Sequence, residues 1–201
     1  MIKRTFDIVA ASAGLVLLFP IFALVALLVR LDSPGPVIFK QRRIGRGFRP
    51  FMMYKFRTMV PEAPARGRPL TVGGDPRITR VGKLLRASKI DELPQLVNVL
   101  KGEMTLVGPR PEVPRYVEFF RTDYEEILVV RPGLTDPASL KYRDEAAILS
   151  QAADPEREYL DRLLPDKIRL GKEYVRRSSF WYDLSLILRT LMKLFAARSG
   201  A

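Results

Sequence analysis

The chain has 201 residues, of which 47% are hydrophobic, so it can bury the core of one ordinary domain and wholesale disorder is excluded. Its 34 Lys and Arg against 22 Asp and Glu give a formal charge of +12, which favours an anionic partner such as nucleic acid, anionic lipid or a phosphorylated substrate. The sequence has no Cys and no His, which excludes disulfides, thiolate nucleophiles, Ser-His-Asp triads and metal sites built from these residues. Carboxylates, Lys, Arg, hydroxyls and a hard cation remain to carry any catalysis.

The N-terminal segment is predicted to enter a membrane and to break at a proline. Residues 8–29 carry no charge and would form a helix about 33 Å long, close to the roughly 30 Å hydrocarbon core of a bilayer. Pro20 lies near the middle, where it removes a backbone hydrogen bond and kinks the helix. Lys3 and Arg4 precede the run and Arg30 follows it, and short positive flanks stay cytoplasmic. A helix–break–helix that dips into one leaflet and returns fits this pattern; a kinked full span and a cleaved signal peptide are the alternatives.

From residue 32 onward, the pattern predicts one compact α+β domain that is mainly helical. Two short strands, at residues 37–39 and 50–56, are joined by a basic glycine-containing turn into a β-hairpin. Prolines and glycines concentrated in residues 61–76 predict a mobile loop. Residues 78–86 are predicted to form a short basic helix or a turn. The other predicted helices are residues 93–100 (ended by Gly102), 113–128 and 156–174 (interrupted at Pro165), with a loop at 105–111 and a turn at 131–133.

The C-terminal segment carries an apolar helical face whose partner the sequence leaves open. Trp181 and Tyr182 stand at its entry, and basic residues lie off the apolar face. Such a pattern is typical of a helix lying in the membrane interface, but it is equally compatible with packing on the domain core. The apolar face consists of Leu184, Ile187, Leu188, Leu191, Leu194 and Phe195.

Residues 88–96 contain two adjacent carboxylates, Asp91 and Glu92, ahead of a predicted helix. Asp91 is a good helix N-cap with Pro94 tolerated in the first turn, so one interpretation is purely structural. The other is catalytic: a carboxylate at a helix N-terminus among cations can attack phosphorus, because those groups neutralise phosphate oxygens that would otherwise repel it. Mg²⁺ suits such a site, since it binds carboxylates and phosphate oxygens together. The surrounding cations are Lys55, Arg57, Arg86, Lys89 and Arg110.

Several ordered segments resemble the bacterial sugar transferase family, the monotopic phosphoglycosyl transferases that initiate glycoconjugate assembly. The resemblance covers nearly the whole chain. It implies the minimal form of the family: a re-entrant membrane helix (residues 1–31, broken at Pro20) followed by a small cytosolic catalytic domain (residues 32–201) with a short β-hairpin and interfacial amphipathic helices. The segments are Lys55-Phe56-Arg57-Thr58-Met59, Asp91-Glu92-Leu93-Pro94-Gln95, Asn98-Val99-Leu100-Lys101-Gly102-Glu103-Met104, Val107-Gly108-Pro109-Arg110-Pro111 and Arg131-Pro132-Gly133.

The resemblance implies a two-step transfer. A UDP-sugar donates its sugar-1-phosphate to Asp91 and releases UMP, and undecaprenyl phosphate then takes the phosphosugar from the enzyme. Glu92 would assist activation or metal binding, and Asp91 with Glu92 would hold Mg²⁺. The implied location is the cytoplasmic face of the bacterial inner membrane, and the implied role is the initiation of exopolysaccharide or lipopolysaccharide biosynthesis. The implied phosphate-binding residues are Lys55, Arg57, Arg86 and Arg110, with Pro109 and Pro111 bordering the nucleotide.

The sugar and the partners are less specified. After residue 133 the chain departs from the Trp-Ala-Gln and Asn-Gly-Arg pattern of many family members, so the sugar stays open; Arg143 is a candidate for the sugar pocket, with a solvated charged turn as the alternative. Membrane lipids are expected partners, and a homodimer through the C-terminal helix is left open. Nucleic acid is not expected, because its characteristic motifs are missing. The rival functions are an inactive membrane-tethered basic scaffold and a nucleic-acid-binding protein.

Overall fold

The computed structural model describes residues 2–61 and 70–196, so residues 62–69 of the loop predicted at 61–76 lie outside the described residues. The described ranges are mainly helical and contain two two-stranded sheets. The strands are β1 (Ile38–Ile44), β2 (Pro50–Phe56), β3 (Thr105–Val107) and β4 (Gly133–Thr135). The helices are α1 (Ile2–Leu17), α2 (Phe19–Asp32), α3 (Arg80–Ser88), α4 (Gln95–Lys101), α5 (Pro114–Phe119), α6 (Arg121–Ile127), α7 (Pro137–Lys141), α8 (Glu145–Ser150), α9 (Pro155–Glu158), α10 (Leu164–Arg177) and α11 (Phe180–Ala196).

The first two helices meet at a bend of 60°. Pro20 lies in the first turn of α2, where its missing N–H leaves no helical hydrogen bond unmade, so the predicted break is confirmed. Among the described residues no single helix is long and apolar enough to cross a membrane; this bent pair reaches that length and composition only when its two halves are taken together. Many of its large apolar side chains are exposed, namely Ile8, Val9, Val16, Leu17, Phe19, Leu24, Leu27, Leu28 and Leu31.

Helix α1 is held against the rest of the protein by a polar face. Arg4 donates to the carbonyl oxygens of Val99 (2.6 Å) and Leu100 (2.9 Å), at the C-terminal end of α4. Both carbonyls lie in the last turn of α4, where helical N–H partners run out, so the guanidinium adds to the single bond that Val99 receives from the Gly102 N–H. Asp7 is buried and accepts a hydrogen bond of 2.6 Å from the Thr105 hydroxyl of β3. Helix α1 therefore packs in the same body as α4 and β3.

The predicted β-hairpin is confirmed: β1 and β2 are antiparallel, with Phe39 opposite Lys55. The open edge of β2 is closed by a side chain rather than by another strand. Asn98 of α4 accepts a hydrogen bond from the Tyr54 N–H (3.0 Å) and donates one to the Met52 carbonyl (2.8 Å). This satisfies an edge that would otherwise be unpaired and fixes Lys55 beside the segment that precedes α4.

The second sheet corrects the prediction of a loop at residues 105–111. Strands β3 and β4 are parallel, with Thr105 opposite Gly133, so the first part of this range is a strand. A strand of three residues is too short to leave an alternating pattern, and its partner is distant in the sequence, which is why the pattern missed it. The two chains approach closely, because a Cβ on Gly133 would lie 2.0 Å from the Gly108 nitrogen.

Two long predicted helices are divided. The one predicted over residues 113–128 breaks at Phe120 into α5 and α6, and the one over 156–174 becomes α9, a π-helical turn (Tyr159–Leu163) and α10. Pro165 lies in the first turn of α10, as an N-terminal proline should. The largest buried cluster joins these elements and contains Tyr116, Val117, Tyr124, Ile127, Leu128, Leu149, Tyr159, Leu163, Leu164 and Ile168.

Helix α11 buries one side and exposes another. Asp183 and Leu186 are buried, and the Thr190 hydroxyl lies 2.7 Å from the Thr135 hydroxyl of β4. Of the predicted apolar face, Ile187 packs against the core, so the packing alternative is confirmed for that residue, and the placement of the rest in the membrane interface stays a prediction. The side chains of Leu194 and Phe195 lie outside the described part of the chain. The exposed large apolar side chains are Trp181, Leu188, Leu191 and Met192.

Candidate active site

The two adjacent carboxylates lie in a 3-10 turn (Ile90–Glu92) between α3 and α4. Helix α3 ends at Lys89, whose φ of 58° places it in the left-handed region and turns the chain sharply. The N-cap of α4 is Pro94. The interpretation of Asp91 as a helix N-cap is therefore wrong, because the 3-10 turn separates it from α4.

Glu92 joins two distant cations. Its Oε1 accepts a hydrogen bond of 2.9 Å from Lys55 of β2 and a second from the Arg110 guanidinium. Burial alone would raise the pKa of Glu92, but the charges of Arg110 and Lys55 outweigh it and hold this pKa well below its usual range. Glu92 is consequently ionised at neutral pH and ties the segment after α3 to both cations.

Asp91 has a different environment, although it is the adjacent residue. Its side chain is 6% exposed, and its Oδ1 is buried and accepts no hydrogen bond from the described residues. Burial raises the pKa of Asp91, against the opposing charge of Lys55. A buried carboxylate oxygen with no hydrogen bond is free to bind a cation or to act as a nucleophile.

These carboxylates fit a Mg²⁺ ion that also contacts substrate. Within the described ranges no group of three or more Asp or Glu side chains is placed to hold a metal ion. Mg²⁺ commonly uses only one or two protein carboxylates together with substrate phosphate oxygens and water. The unpartnered oxygen of Asp91, with Glu92 next to it, matches that donor set.

Arg86 and Lys89 also face this site from the end of α3. Arg86 donates to the Thr58 hydroxyl (2.9 Å), and burial lowers its pKa while Asp91 opposes that shift. Helix α3 lies close to the chain after β2, because a Cβ on Gly82 would come within 2.2 Å of the Thr58 carbonyl oxygen. Lys89 donates to the Arg143 carbonyl oxygen at 3.0 Å. Thr58 orients Arg86, a role that its place in the Lys55–Met59 motif did not predict.

Two predicted site residues direct their side chains elsewhere. Arg57 donates to the Ser33 carbonyl (2.6 Å) and the Val29 carbonyl (3.2 Å), so its guanidinium binds the C-terminal end of α2. The Arg143 guanidinium donates to the Lys193 carbonyl of α11. Their predicted roles in binding phosphate and sugar stay predictions, and the structure gives each side chain a contact that joins elements of the fold.

The Pro109–Pro111 segment is fixed on both sides of Arg110. The Pro109 carbonyl accepts from the Gly133 N–H (3.0 Å), and the Pro111 carbonyl accepts from the Arg43 guanidinium (3.0 Å). Arg110 donates its own N–H to Asp136 (3.3 Å). These contacts hold the backbone of Arg110 while its side chain reaches Glu92.

Buried acids next to this segment were missed by the sequence analysis. Glu112 accepts from Arg43 (2.8 Å) and from the Tyr159 hydroxyl (2.5 Å), and Asp136 caps α7 through the Ser139 N–H (2.7 Å). The Asp-Pro pair at 136–137 is a recognisable helix-start signal. Nothing comparable marks Glu112, whose partners come from distant elements.

Gln95 is the last residue of the Asp91–Gln95 motif, and the sequence predicted no role for it. Its side chain is fully buried, and neither its Oε1 nor its Nε2 has a hydrogen-bond partner among the described residues. It is on the same face of α4 as Asn98, one turn nearer to Glu92. The segment from Asp91 to Gln95 thus has polar atoms that the described residues leave unsatisfied.

Comparison with known proteins identifies the family of the chain. A family model described as bacterial sugar transferase matches residues 1–197. Over 98% of its length the chain is 39% identical to the UDP-N-acetylgalactosamine-undecaprenyl-phosphate N-acetylgalactosaminephosphotransferase of Aeromonas hydrophila, of which it covers 45%. It is 38% identical over 96% of its length to the UDP-glucose:undecaprenyl-phosphate glucose-1-phosphate transferase of Caulobacter vibrioides, covering 69% of that protein.

The protein of the same name from Escherichia coli is 35% identical over the whole chain, which covers 41% of it. The chain thus spans less than half the length of the Aeromonas and Escherichia relatives. The family model nevertheless extends over the bent helix pair, both sheets and the carboxylate pair. The chain belongs to the bacterial sugar transferase family.

Proposed function

We propose that this protein transfers a sugar-1-phosphate from a UDP-sugar to undecaprenyl phosphate, through a phosphosugar bound covalently to Asp91. The observation that carries the proposal is the buried oxygen of Asp91, which has no hydrogen-bond partner among the described residues and lies beside Lys55, Arg86 and Lys89. The names of the relatives support a UDP-sugar and undecaprenyl phosphate as the two substrates.

The proposed reaction has two displacements at the same phosphorus atom. A carboxylate oxygen of Asp91 bonds to the β-phosphorus, which carries the sugar; the bond from this phosphorus to the bridging oxygen breaks, and UMP leaves with that oxygen and its electron pair. An oxygen of undecaprenyl phosphate then attacks the phosphorus, and the bond to Asp91 breaks and restores the carboxylate. Both nucleophiles are anionic oxygens, so neither has to lose a proton, which is consistent with a chain that has no His.

The cations at the site exceed the carboxylates. Lys55, Arg86 and Lys89 act on Asp91, and Arg110 with Lys55 binds Glu92. A diphosphate entering this site meets a positive surplus that offsets its repulsion from the carboxylate nucleophile. In this proposal Glu92 positions Lys55 and Arg110. Mg²⁺ is the proposed cofactor: Asp91 and Glu92 would hold it, and it would add positive charge next to the diphosphate.

The proposed location is the cytoplasmic face of the bacterial inner membrane, with the bent α1–α2 pair re-entering one leaflet. The exposed apolar side chains of both helices support this, as does the bend of 60°. Val25 and Val29 of α2 pack against Phe56 and Leu85, which are the sequence neighbours of Lys55 on β2 and Arg86 on α3. A membrane-embedded α2 would accordingly carry the site close to the phosphate of a lipid substrate.

Intact-protein mass spectrometry tests the proposal directly. The protein is incubated with Mg²⁺ and UDP-sugars, including UDP-glucose and UDP-N-acetylgalactosamine, without a lipid acceptor, while UMP is measured. We expect a mass gain of one phosphosugar in the wild type, none in Asp91→Asn, and a wild-type gain in Asp144→Asn, which loses the same charge at an exposed position.

An adduct in Asp91→Asn would remove Asp91 from the proposed mechanism. Absence of both adduct and UMP with every donor, and no turnover after undecaprenyl phosphate is added, would favour an inactive membrane scaffold instead. UMP release without an adduct in the wild type would contradict the covalent intermediate but keep the overall transfer.

A further inference from the structure

A cleft lies away from the carboxylate pair. It has a volume of about 380 Å³, within the usual size of small-ligand sites, and opens beside Thr105, the first residue of β3. Arg110 of the candidate active site follows the other end of that strand. Four cations line the cleft, and they come from three separate parts of the chain: Lys3, Arg4, Arg46 and Arg131.

The lining of the cleft has more cations than carboxylates, and both carboxylates already bind other side chains of the protein. Asp7 accepts a hydrogen bond from the Thr105 hydroxyl (2.6 Å). Asp183 is bound by the Lys3 ammonium (2.6 Å) and the Tyr174 hydroxyl (2.7 Å). Four cations against two carboxylates leave a surplus of two positive charges at the lining.

Two arginines contribute most to this surplus. Arg131 donates through Nε to the Gly102 carbonyl (2.8 Å), which fixes the guanidinium at the wall of the cleft. Arg46 is exposed in the 3-10 turn between β1 and β2, and its guanidinium makes no hydrogen bond or ion pair with the part of the chain that the structure describes. An anionic group in the cleft would therefore gain Arg46 without displacing an existing partner.

The rim of the cleft joins the exposed apolar surface. Phe180 lines it and contacts both Phe6 (5.5 Å between ring centroids) and Trp181 (5.7 Å). Trp181 is 76% exposed, and Val129, which also lines the cleft, is 54% exposed. Exposed Trp beside basic residues is typical of the level of lipid headgroups.

We propose that this cleft binds the phosphate group of an anionic phospholipid headgroup. The inference rests on the membrane placement in the proposed function, since that placement sets the cleft at headgroup level. A free phosphate shares the same chemistry, but the apolar rim next to the cations favours a phosphate that carries acyl chains.

Trp181 is the single tryptophan of the chain, so its fluorescence reports on the cleft without labelling. The full-length protein, in micelles of an uncharged detergent, is titrated with short-chain phosphatidylglycerol, short-chain phosphatidylcholine or inorganic phosphate. We expect a saturable change with phosphatidylglycerol, none with phosphatidylcholine, and much weaker binding of inorganic phosphate. Arg46→Gln should weaken phosphatidylglycerol binding about fivefold, as expected for one Arg near an anionic lipid.

Arg49→Gln is the matched control, because Arg49 is exposed just after the same turn, carries the same charge and does not line the cleft. Equal weakening by both substitutions would indicate diffuse charge attraction and overturn the proposal. Equal binding of phosphatidylcholine would also overturn the proposal. If inorganic phosphate bound as tightly as the lipid, the assignment of a phospholipid as the ligand would be overturned. UMP release from a UDP-sugar is followed in parallel; its absence beside intact lipid binding would count against the proposed function alone.

Discussion

Asp91 and Glu92 are adjacent and carry the same charge, yet neutralising each is expected to change stability in opposite directions. Burial raises the pKa of Asp91, so folding disfavours its ionised form. The pKa of Glu92 is held well below its usual range by Arg110 and Lys55 against burial, so folding favours its ionised form. Asp91→Asn should therefore stabilise the protein at neutral pH, and Glu92→Gln should destabilise it.

The magnitudes follow from the contacts. Asp91→Asn removes the charge of a buried carboxylate with an unpartnered oxygen, and leaving such a group unsatisfied costs ~1–3 kcal/mol. Because an Asn amide keeps part of that cost, a gain of ~1 kcal/mol is expected, or a rise of ~2–4 °C in Tm for a chain of this size. Glu92→Gln leaves Lys55 and Arg110 without their carboxylate, which costs ~3–5 kcal/mol for a fully buried pair.

The exposure of Glu92, 20% of its side chain, reduces that cost by admitting water. We therefore expect a loss of ~2–3 kcal/mol for Glu92→Gln, or a fall of ~4–12 °C in Tm. Circular dichroism at a helical wavelength, in one uncharged detergent at pH 7, measures both variants. Asp144→Asn, an exposed loss of the same charge, serves as the control and should leave Tm unchanged.

The pH dependence adds a second check. The gain in stability from Asp91→Asn should shrink as the pH falls through the raised pKa of Asp91, because the wild-type carboxyl then becomes protonated and is also uncharged. The stability supplied by Glu92 is present above its unfolded-state pKa and is lost only in stronger acid, as the pH falls through its lowered folded-state pKa. A fall in Tm for Asp91→Asn at pH 7, or a shift of the same sign in both variants, would refute this reasoning.

Three further predictions concern the scaffold. Gly133→Ala should abolish folding, seen as loss of helical circular dichroism, because its Cβ would lie 2.0 Å from the backbone nitrogen of Gly108. Pro20→Ala should straighten the α1–α2 bend toward a full span, so an N-terminal Cys added to this Cys-free chain becomes labelled from the far side of the membrane; labelling in the wild type would contradict the re-entrant proposal. Arg57→Lys should lower the free energy of unfolding by ~1–2 kcal/mol, because it loses contacts with Ser33, and should leave the KM for UDP-sugar unchanged. A raised KM at an unchanged Tm would instead support a role of Arg57 in binding phosphate.

Features with a local cause were predictable from the sequence. Pro20 breaks the first helix pair, and Gly102, with a φ of 80°, ends α4, because each residue imposes its own backbone geometry. The β3–β4 pair was not predictable, because it joins residues 105–107 to 133–135 and no local pattern encodes a contact across that separation. The predicted helix likewise divides at Phe120, where neither Pro nor Gly marks a break.

In the candidate site, too, the sequence motif was predictable and the contacts between distant residues were not. The adjacent carboxylates were recognisable as a motif, but which of them is tied to cations depends on Lys55 and Arg110, and each of these is fixed by contacts that begin elsewhere. Asn98 closes the edge of β2 and fixes Lys55, while Asp136 binds the Arg110 N–H. These contacts bring both cations onto Glu92 and leave the Asp91 oxygen unpartnered. The same two contacts thus account for the lowered pKa of Glu92, whereas burial raises the pKa of Asp91, and this difference favours Asp91 over Glu92 as the proposed nucleophile.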